Sequence, residues 1–199
     1  KKSIRDKRAT KEVFSTVGGF RSLINALGTA VGLDNISLER DNITINLDNG
    51  KYVITCGDEQ IIANYLITTC PSYALPSLLQ FIPQAQLDTL NNLYYAPVIE
   101  IGVGIKHTGN VKWNAFGGLV PSHEKKDILG ILMPSACFTN RSPEGGATYA
   151  YFIGGAKHPE HLNKTDAELE QLVNQSLHLM LGYPQGTCAD VIRDRKSVV

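Results

Sequence analysis

The chain has 199 residues, 43% hydrophobic and 19% charged, which suits one good globular core or two small ones. Lys+Arg and Asp+Glu both number 19, so no global field favours nucleic acid or anionic lipid, and no nucleic-acid partner is expected. Cys56, Cys70, Cys137 and Cys188 stand far apart without a C-x-x-C pair, which argues against a zinc ribbon or disulfide scaffold and suits a reducing cytoplasm.

In chain order, a basic start at residues 1–11 reads as a solvated end. Phe20, Leu23, Ile24, Leu27 and Val31 then recur at helical spacing after Gly18-Gly19. Ile43, Ile45 and Leu47 alternate with polar residues, Asn49-Gly50 supplies a tight turn, and Tyr52 and Ile54 continue on a return strand. Residues 61–68 are nearly continuously apolar, as expected of a strand buried on both faces, and the run breaks at Pro71. Pro76 and Pro83 divide the helical stretch 75–93 into two short helices. Strands are expected at 98–105, 118–120, 129–133 and 148–153. The last helix is bounded by a Thr165/Glu168 capping box and by Gly182 and Pro184. The expected class is α/β to α+β, with a change of character between Pro71 and Tyr95.

Generic catalytic motifs are absent. Gly102-Val103-Gly104 lacks the third glycine of a dinucleotide fingerprint and lies inside a strand pattern, so it reads as structural. Gly18-Gly19 opens a helix, where backbone N–H groups could face an anion, but close packing explains the pair as well. His158 and His161 are three apart with Pro159 between them and no third ligand evident in sequence, so no metal is expected. Ser122 and Ser135 follow prolines rather than standing in a G-x-S-x-G elbow, which disfavours a hydrolase. No apolar run approaches the roughly 20 residues that cross a bilayer, and no signal peptide is visible. A cytoplasmic location follows as the expectation.

The most specific stretch is Phe116-Gly117-Gly118-Leu119-Val120-Pro121-Ser122, followed by Leu129-Gly130-Ile131-Leu132-Met133-Pro134-Ser135 and Phe138. It resembles the substrate-domain core of the oxygen-dependent, FAD-containing protoporphyrinogen oxidases, within the flavin amine oxidase superfamily. Phe14 to Phe20 with Leu23 and Leu27, Ala63 to Pro71, Tyr94 to Val98 and Tyr149 to Gly155 resemble further family segments in the right order. The first two of these are shared with amine oxidases and carotene desaturases. The resemblance implies part of an FAD-binding Rossmann-like domain over residues 1–71 and part of a mixed-sheet substrate-binding lobe with flanking helices over 72–199.

By the same resemblance, Phe116, Gly117 and Leu119 would lie at a tetrapyrrole site, with Phe152 and Met133 lining it. Ile43, or Asn42 if the register slips by one, would offer strand backbone to the adenine side of FAD. The implied activity is oxidation of protoporphyrinogen IX to protoporphyrin IX in haem biosynthesis, or of coproporphyrinogen III in the sister group, with oxygen as acceptor. Catalytic residues are not assigned. The G-x-G-x-x-G unit and the C-terminal FAD segment of the family are missing, and residues 193–199 look foreign to its pattern. The chain is therefore expected to be a piece of a longer flavoenzyme, itself colourless and inactive, whose intact parent touches the inner face of the cell membrane peripherally. Other classes remain open: another member of the amine oxidase superfamily, or a non-catalytic module that binds a porphyrin or protein and self-associates through uncovered apolar surface.

Overall fold

A computed structural model describes residues 14–198, so the basic start at 1–11 lies outside the described residues. The chain forms two compact units, which divide at Tyr94/Tyr95, the end of the stretch where the sequence changes character. No helix among the described residues is long and apolar enough to cross a membrane.

The first unit is Gly19–Tyr94. Helix α1, Phe20–Val31, forms where the apolar spacing places it; it ends at Gly32, whose φ of 87° lets its N–H reach the Gly28 carbonyl at 3.1 Å. None of its side chains is buried. Strands β1, Ile43–Asp48, and β2, Lys51–Cys56, form the expected hairpin, with Asp48 opposite Lys51. Asn49 and Gly50 both have positive φ, at 46° and 76°, as a two-residue turn between twisted strands requires.

The apolar run at 61–68 does not become a strand buried on both faces. Strand β3, Glu59–Ala63, is shorter and pairs only with β2, so it is the outer strand of a sheet ordered β1-β2-β3. Ile61 is 58% exposed and Ile62 62%. Apolar content gives no information on whether a second layer is present to cover it. Two short helices follow as expected, α2 at Leu75–Leu78 and α3 at Gln84–Asn91, separated at Pro83. Leu79 and Leu87 bury against Ile45, with Tyr52, Ile54 and Phe81 packed around them.

The second unit combines the described residues before Gly19 with those from Tyr95 onward. Its strands are β4, Val98–Ile105; β5, Gly117–Leu119; β6, Ile128–Leu132; β7, Ala147–Gly154; and β8, Val191–Val198. They form one sheet in the order β5-β6-β7-β4-β8, and each pairing is antiparallel. The expected class, α/β to α+β, is what forms. The sheet expected to be mixed is instead antiparallel at every described pairing, since β5, β6 and β7 pair in chain order as hairpin-connected strands do, and β4 separates β7 from β8. Strand β8 is not legible in the sequence: Arg-Asp-Arg-Lys breaks its apolar pattern, yet its backbone pairs along β4.

Helix α4, Pro134–Cys137, is a single turn tied to β7 by the Thr148 N–H donating to Ser135 Oγ at 2.9 Å. Helix α5, Asp166–Leu181, starts on the expected capping box and ends at Gly182 in the left-handed region. The Tyr183 N–H reaches back to the Leu177 carbonyl at 3.1 Å and closes the terminus. Leu169, Val173, Leu177 and Leu181 of α5 pack into the core of the sheet.

Candidate functional site

The five-stranded sheet sorts its residues by alternation. In β4, Ile99, Ile101, Val103 and Ile105 are buried, and Glu100, Gly102 and Gly104 between them are only half-buried. The register continues this across β7, where Tyr149, Tyr151 and Ile153 stand opposite Val103, Ile101 and Ile99. One face is therefore the core under α5. The other is floored by Gly102, Gly104, Thr148 and Ala150, with Glu100 and Phe152 paired beside them.

On that second face a groove of about 510 Å³ runs along Gly102, Gly104, Thr148 and Ala150, walled by Pro134 and Pro143. The size suits a small-molecule site. Side chains this small leave backbone within reach of a flat ligand. The sequence signal was present in Gly102-Val103-Gly104: large residues alternate with glycine, a strand pattern in which one face is left bare. No nucleotide motif was needed to see it.

The five residues expected at a substrate site fall on both faces. Gly117 pairs with Leu132 and Leu119 with Gly130, while Gly130 pairs with Phe152, so Gly117, Leu119 and Phe152 share the open face. Leu119 is 88% exposed. Met133 is 5% exposed and belongs to the core, where it lines a separate cavity of about 370 Å³ with Trp113 and Tyr149. Phe116 lies just ahead of β5, accepts the Met133 N–H through its carbonyl at 2.9 Å, and is 54% exposed, so it belongs to neither the core nor the paired strand positions. The structure thus brings three of the five together.

Gly117 also has a structural reason to be glycine. A Cβ there would lie 2.4 Å from the Ile131 carbonyl oxygen, on backbone that cannot move away. Gly130 is constrained in the same way, by the Gly118 carbonyl oxygen at 2.9 Å. Close strand approach alone fixes both positions.

Beneath the core face, the Tyr149 and Tyr183 hydroxyls hydrogen-bond at 2.7 Å. Burial raises both phenols; for Tyr149 the bond to Tyr183 adds to the rise, whereas for Tyr183 it offsets part of it. Burial also pushes Tyr151 up to about 12, with the nearby Ser176 hydroxyl opposing the shift. The Ser176 hydroxyl already donates to the Val173 carbonyl at 2.7 Å, and the Tyr151 hydroxyl has no aligned partner. Trp113 Nε1 donates to the Leu181 carbonyl at 3.0 Å, a cap on α5 that no sequence pattern announces.

Asn42 and Ile43 lie in the first unit, at the start of β1. β1 is the outer strand on its side of the three-stranded sheet, so its outward backbone groups have no strand partner among the described residues. Asn42 has φ 55°, which turns the chain immediately before the strand. An open strand edge fits a ligand held by backbone, such as the adenine side of FAD. No G-x-G-x-x-G turn occurs in the chain to cradle the pyrophosphate.

A family model described as flavin containing amine oxidoreductase matches residues 2–197. The chain is 30% identical over 201 residues to a chloroplastic protoporphyrinogen oxidase of Nicotiana tabacum, covering 92% of this chain and 36% of that protein. It is 28% identical to the chloroplastic protoporphyrinogen oxidase 1 of Arabidopsis thaliana, covering 94% of this chain and 37% of that one. Among solved structures, an Exiguobacterium protein with a provisional protoporphyrinogen oxidase assignment matches with TM-score 0.77 at 19% identity, over 96% of this chain and 41% of that chain. Cyclohexylamine oxidase from Brevibacterium oxydans matches with TM-score 0.70 at 15% identity, over 90% and 38%. These two show a shared fold. The chain spans a little over a third of the length of the curated relatives it matches.

Proposed function

The chain belongs to the flavin containing amine oxidoreductase family, and on that premise we propose that it is part of an FAD-dependent oxidase converting protoporphyrinogen IX to protoporphyrin IX with oxygen as acceptor. The observation that carries this reading is the open face of the five-stranded sheet, floored by Gly102, Gly104 and Ala150. A porphyrinogen is a broad apolar macrocycle. A surface of glycine and alanine lets such a ring lie against strand backbone, where a bulkier floor would hold it off. The curated relatives named above carry this activity in their names, which favours it over an amine substrate.

In this reading residues 72–199 contribute to the substrate part, and Gly117, Leu119 and Phe152 line the face on which the macrocycle rests. Met133 acts from the opposite face, within the core, and Phe116 stands exposed at the entrance to β5. Residues 1–71 contribute to the cofactor part, with the backbone of Asn42 and Ile43 at the open β1 edge meeting the adenine side. FAD, when bound, supplies the hydride acceptor and the route for electrons to oxygen. The protein's share is to bind and orient the ring.

Turnover by the intact parent protein tests the reading, with protoporphyrinogen IX, coproporphyrinogen III and a primary amine offered in parallel. Protoporphyrin formation with oxygen uptake is the expected result. Faster turnover of coproporphyrinogen III would reassign the substrate within the tetrapyrroles. A preference for the amine, with neither porphyrinogen oxidised, would sink the proposal.

A further inference from the structure

The turn that follows β7 gathers a group of side chains that the proposed oxidase chemistry does not use. His158, Glu160 and His161 each present a ligand atom, and these atoms lie within 4.8 Å of one another. The short 3-10 turn Pro159–Asn163, with His158 as its N-cap, has three residues per turn, so His158 and His161, three apart, fall on one side of it. His158 Nδ1 is 3.0 Å from Glu160 Oε1, and the two imidazoles lie nearly parallel with centroids 5.6 Å apart. The turn is braced by the His158 N–H on the Gly155 carbonyl and the His161 N–H on the His158 carbonyl.

His161 is the observation that points to a ligand. It is 6% exposed, and neither ring nitrogen has an aligned hydrogen-bond partner. Its Nε2 lies 3.0 Å from Asp127 Oδ1, near enough for an ionic contact but outside hydrogen-bond alignment. Buried imidazoles are ordinarily satisfied at both nitrogens. A carboxylate stands against one nitrogen, the other has no aligned partner, and a ring nitrogen of His161 lies within 4.8 Å of ligand atoms of His158 and Glu160. A carboxylate behind an imidazole is what orients it toward a metal.

We propose that His158, Glu160 and His161 bind one divalent cation of the zinc class, with Asp127 as the outer carboxylate that orients His161. Two imidazoles and one carboxylate form a donor set that zinc accepts, leaving a fourth position for water. Tetrahedral ligand atoms about zinc stand roughly 3.4 Å apart, from bonds of about 2.1 Å. His158 is partly and Glu160 mostly exposed, so their side chains have room to close the remaining distance. Sequence spacing alone missed the third ligand because it stands between the histidines, and missed Asp127 because that residue arrives from the segment before β6. The bound ion would fasten the turn after β7 and lower its mobility.

The test is a zinc titration of the chelator-stripped chain in competition with a chromophoric chelator, followed by cobalt(II) substitution read in the visible spectrum. One equivalent of zinc is expected, with a cobalt spectrum of a four-coordinate nitrogen–oxygen site. His158→Ala and Glu160→Gln, both at exposed positions that spare the core, should each weaken binding by more than about tenfold, and Asp127→Asn by about tenfold. His107→Ala should leave it unchanged. No saturable uptake, equal affinity in His158→Ala, or a cobalt–thiolate charge-transfer band pointing to the cysteines would each overturn the proposal.

Discussion

The two faces of the five-stranded sheet share the same strands and the same ladder of hydrogen bonds, yet their residues do different things. Toward α5, Ile99, Ile101, Tyr151 and Ile153 are buried. On the other side the alternate positions are Glu100, Gly102, Ala150 and Phe152, and a groove lies along them. A period of two lets one strand carry stability on its odd residues and a binding surface on its even ones. The same substitution should therefore have opposite consequences on the two faces. Leu177→Ala in α5, which packs into the core face, should cost about 2–5 kcal/mol in a urea titration. Leu119→Ala on the open face should change stability by no more than about 0.5 kcal/mol. Under the proposed function, the same change in the full oxidase should appear as slower porphyrinogen oxidation. Equal losses of stability would mean that the open face is covered and the contrast is wrong.

The neighbouring glycines of β5 sharpen the contrast to adjacent residues. Gly117→Ala forces a Cβ onto the Ile131 carbonyl oxygen and should destabilise by about 1–3 kcal/mol, whether or not a substrate ever rests there. Gly118→Ala meets nothing within 4 Å and should be neutral or slightly stabilising. Thermal melts of the two variants decide this. Loss of activity in a Gly117 variant is then no proof of substrate contact, and Leu119 or Phe152 is the better probe.

How much of this could be read from the chain depends on how local the cause is. The Asn49-Gly50 hairpin, the Pro-divided helices and the α5 caps are set by residues within a few positions of each other, and all form as the sequence indicates. The run at 61–68 failed because its burial depends on a covering layer that composition does not report. β8 was illegible because its pairing with β4 is made by backbone groups, which Arg193 and Lys196 possess as fully as valine does. Of the candidate site, the strand-borne glycines were visible as an alternation. The division of buried Met133 from Gly117, Leu119 and Phe152 depends on the β5–β6 and β6–β7 registers, which no single-strand pattern contains.

The core face holds a comparison of its own, between a phenol with a close partner and one whose neighbouring hydroxyl is not aligned to it. Tyr183→Phe would leave the buried Tyr149 hydroxyl without its 2.7 Å partner, at a cost of about 1–2 kcal/mol. Tyr151→Phe removes a buried hydroxyl that has no aligned partner, and should be neutral or stabilising. pH separates them further. Tyr151 has its folded pKa raised to about 12 from 10.0, so its neutral form contributes stability that is whole below pH 10.0 and falls as pH rises toward 12. Tyr151→Phe should accordingly retain more of its stability between those values. A steeper alkaline loss in that variant would contradict the assignment.

At the exposed start of α5 a local device can be set against the core it serves. Thr165 Oγ1 accepts the Glu168 N–H at 3.3 Å, and Glu168 Oε2 accepts the Thr165 N–H at 2.7 Å. Thr165→Ala removes one half of this exchange and should cost about 1 kcal/mol. Glu168→Gln keeps the shape and removes the charge. The Thr165 backbone N–H, and then its hydroxyl, hold the Glu168 carboxyl below its usual 4.5. A carboxylate depressed on folding stabilises the native state above its unfolded value, and that contribution is lost as pH falls through the folded one. Wild type should therefore lose stability between pH 4.5 and the depressed folded value, and Glu168→Gln should show a flatter acid limb over that window. The group is fully solvated, so added salt should shrink the difference as well. If denaturant midpoints of the two proteins run parallel from pH 6 down to 3, the carboxylate acts through shape alone and the capping exchange owes nothing to its charge.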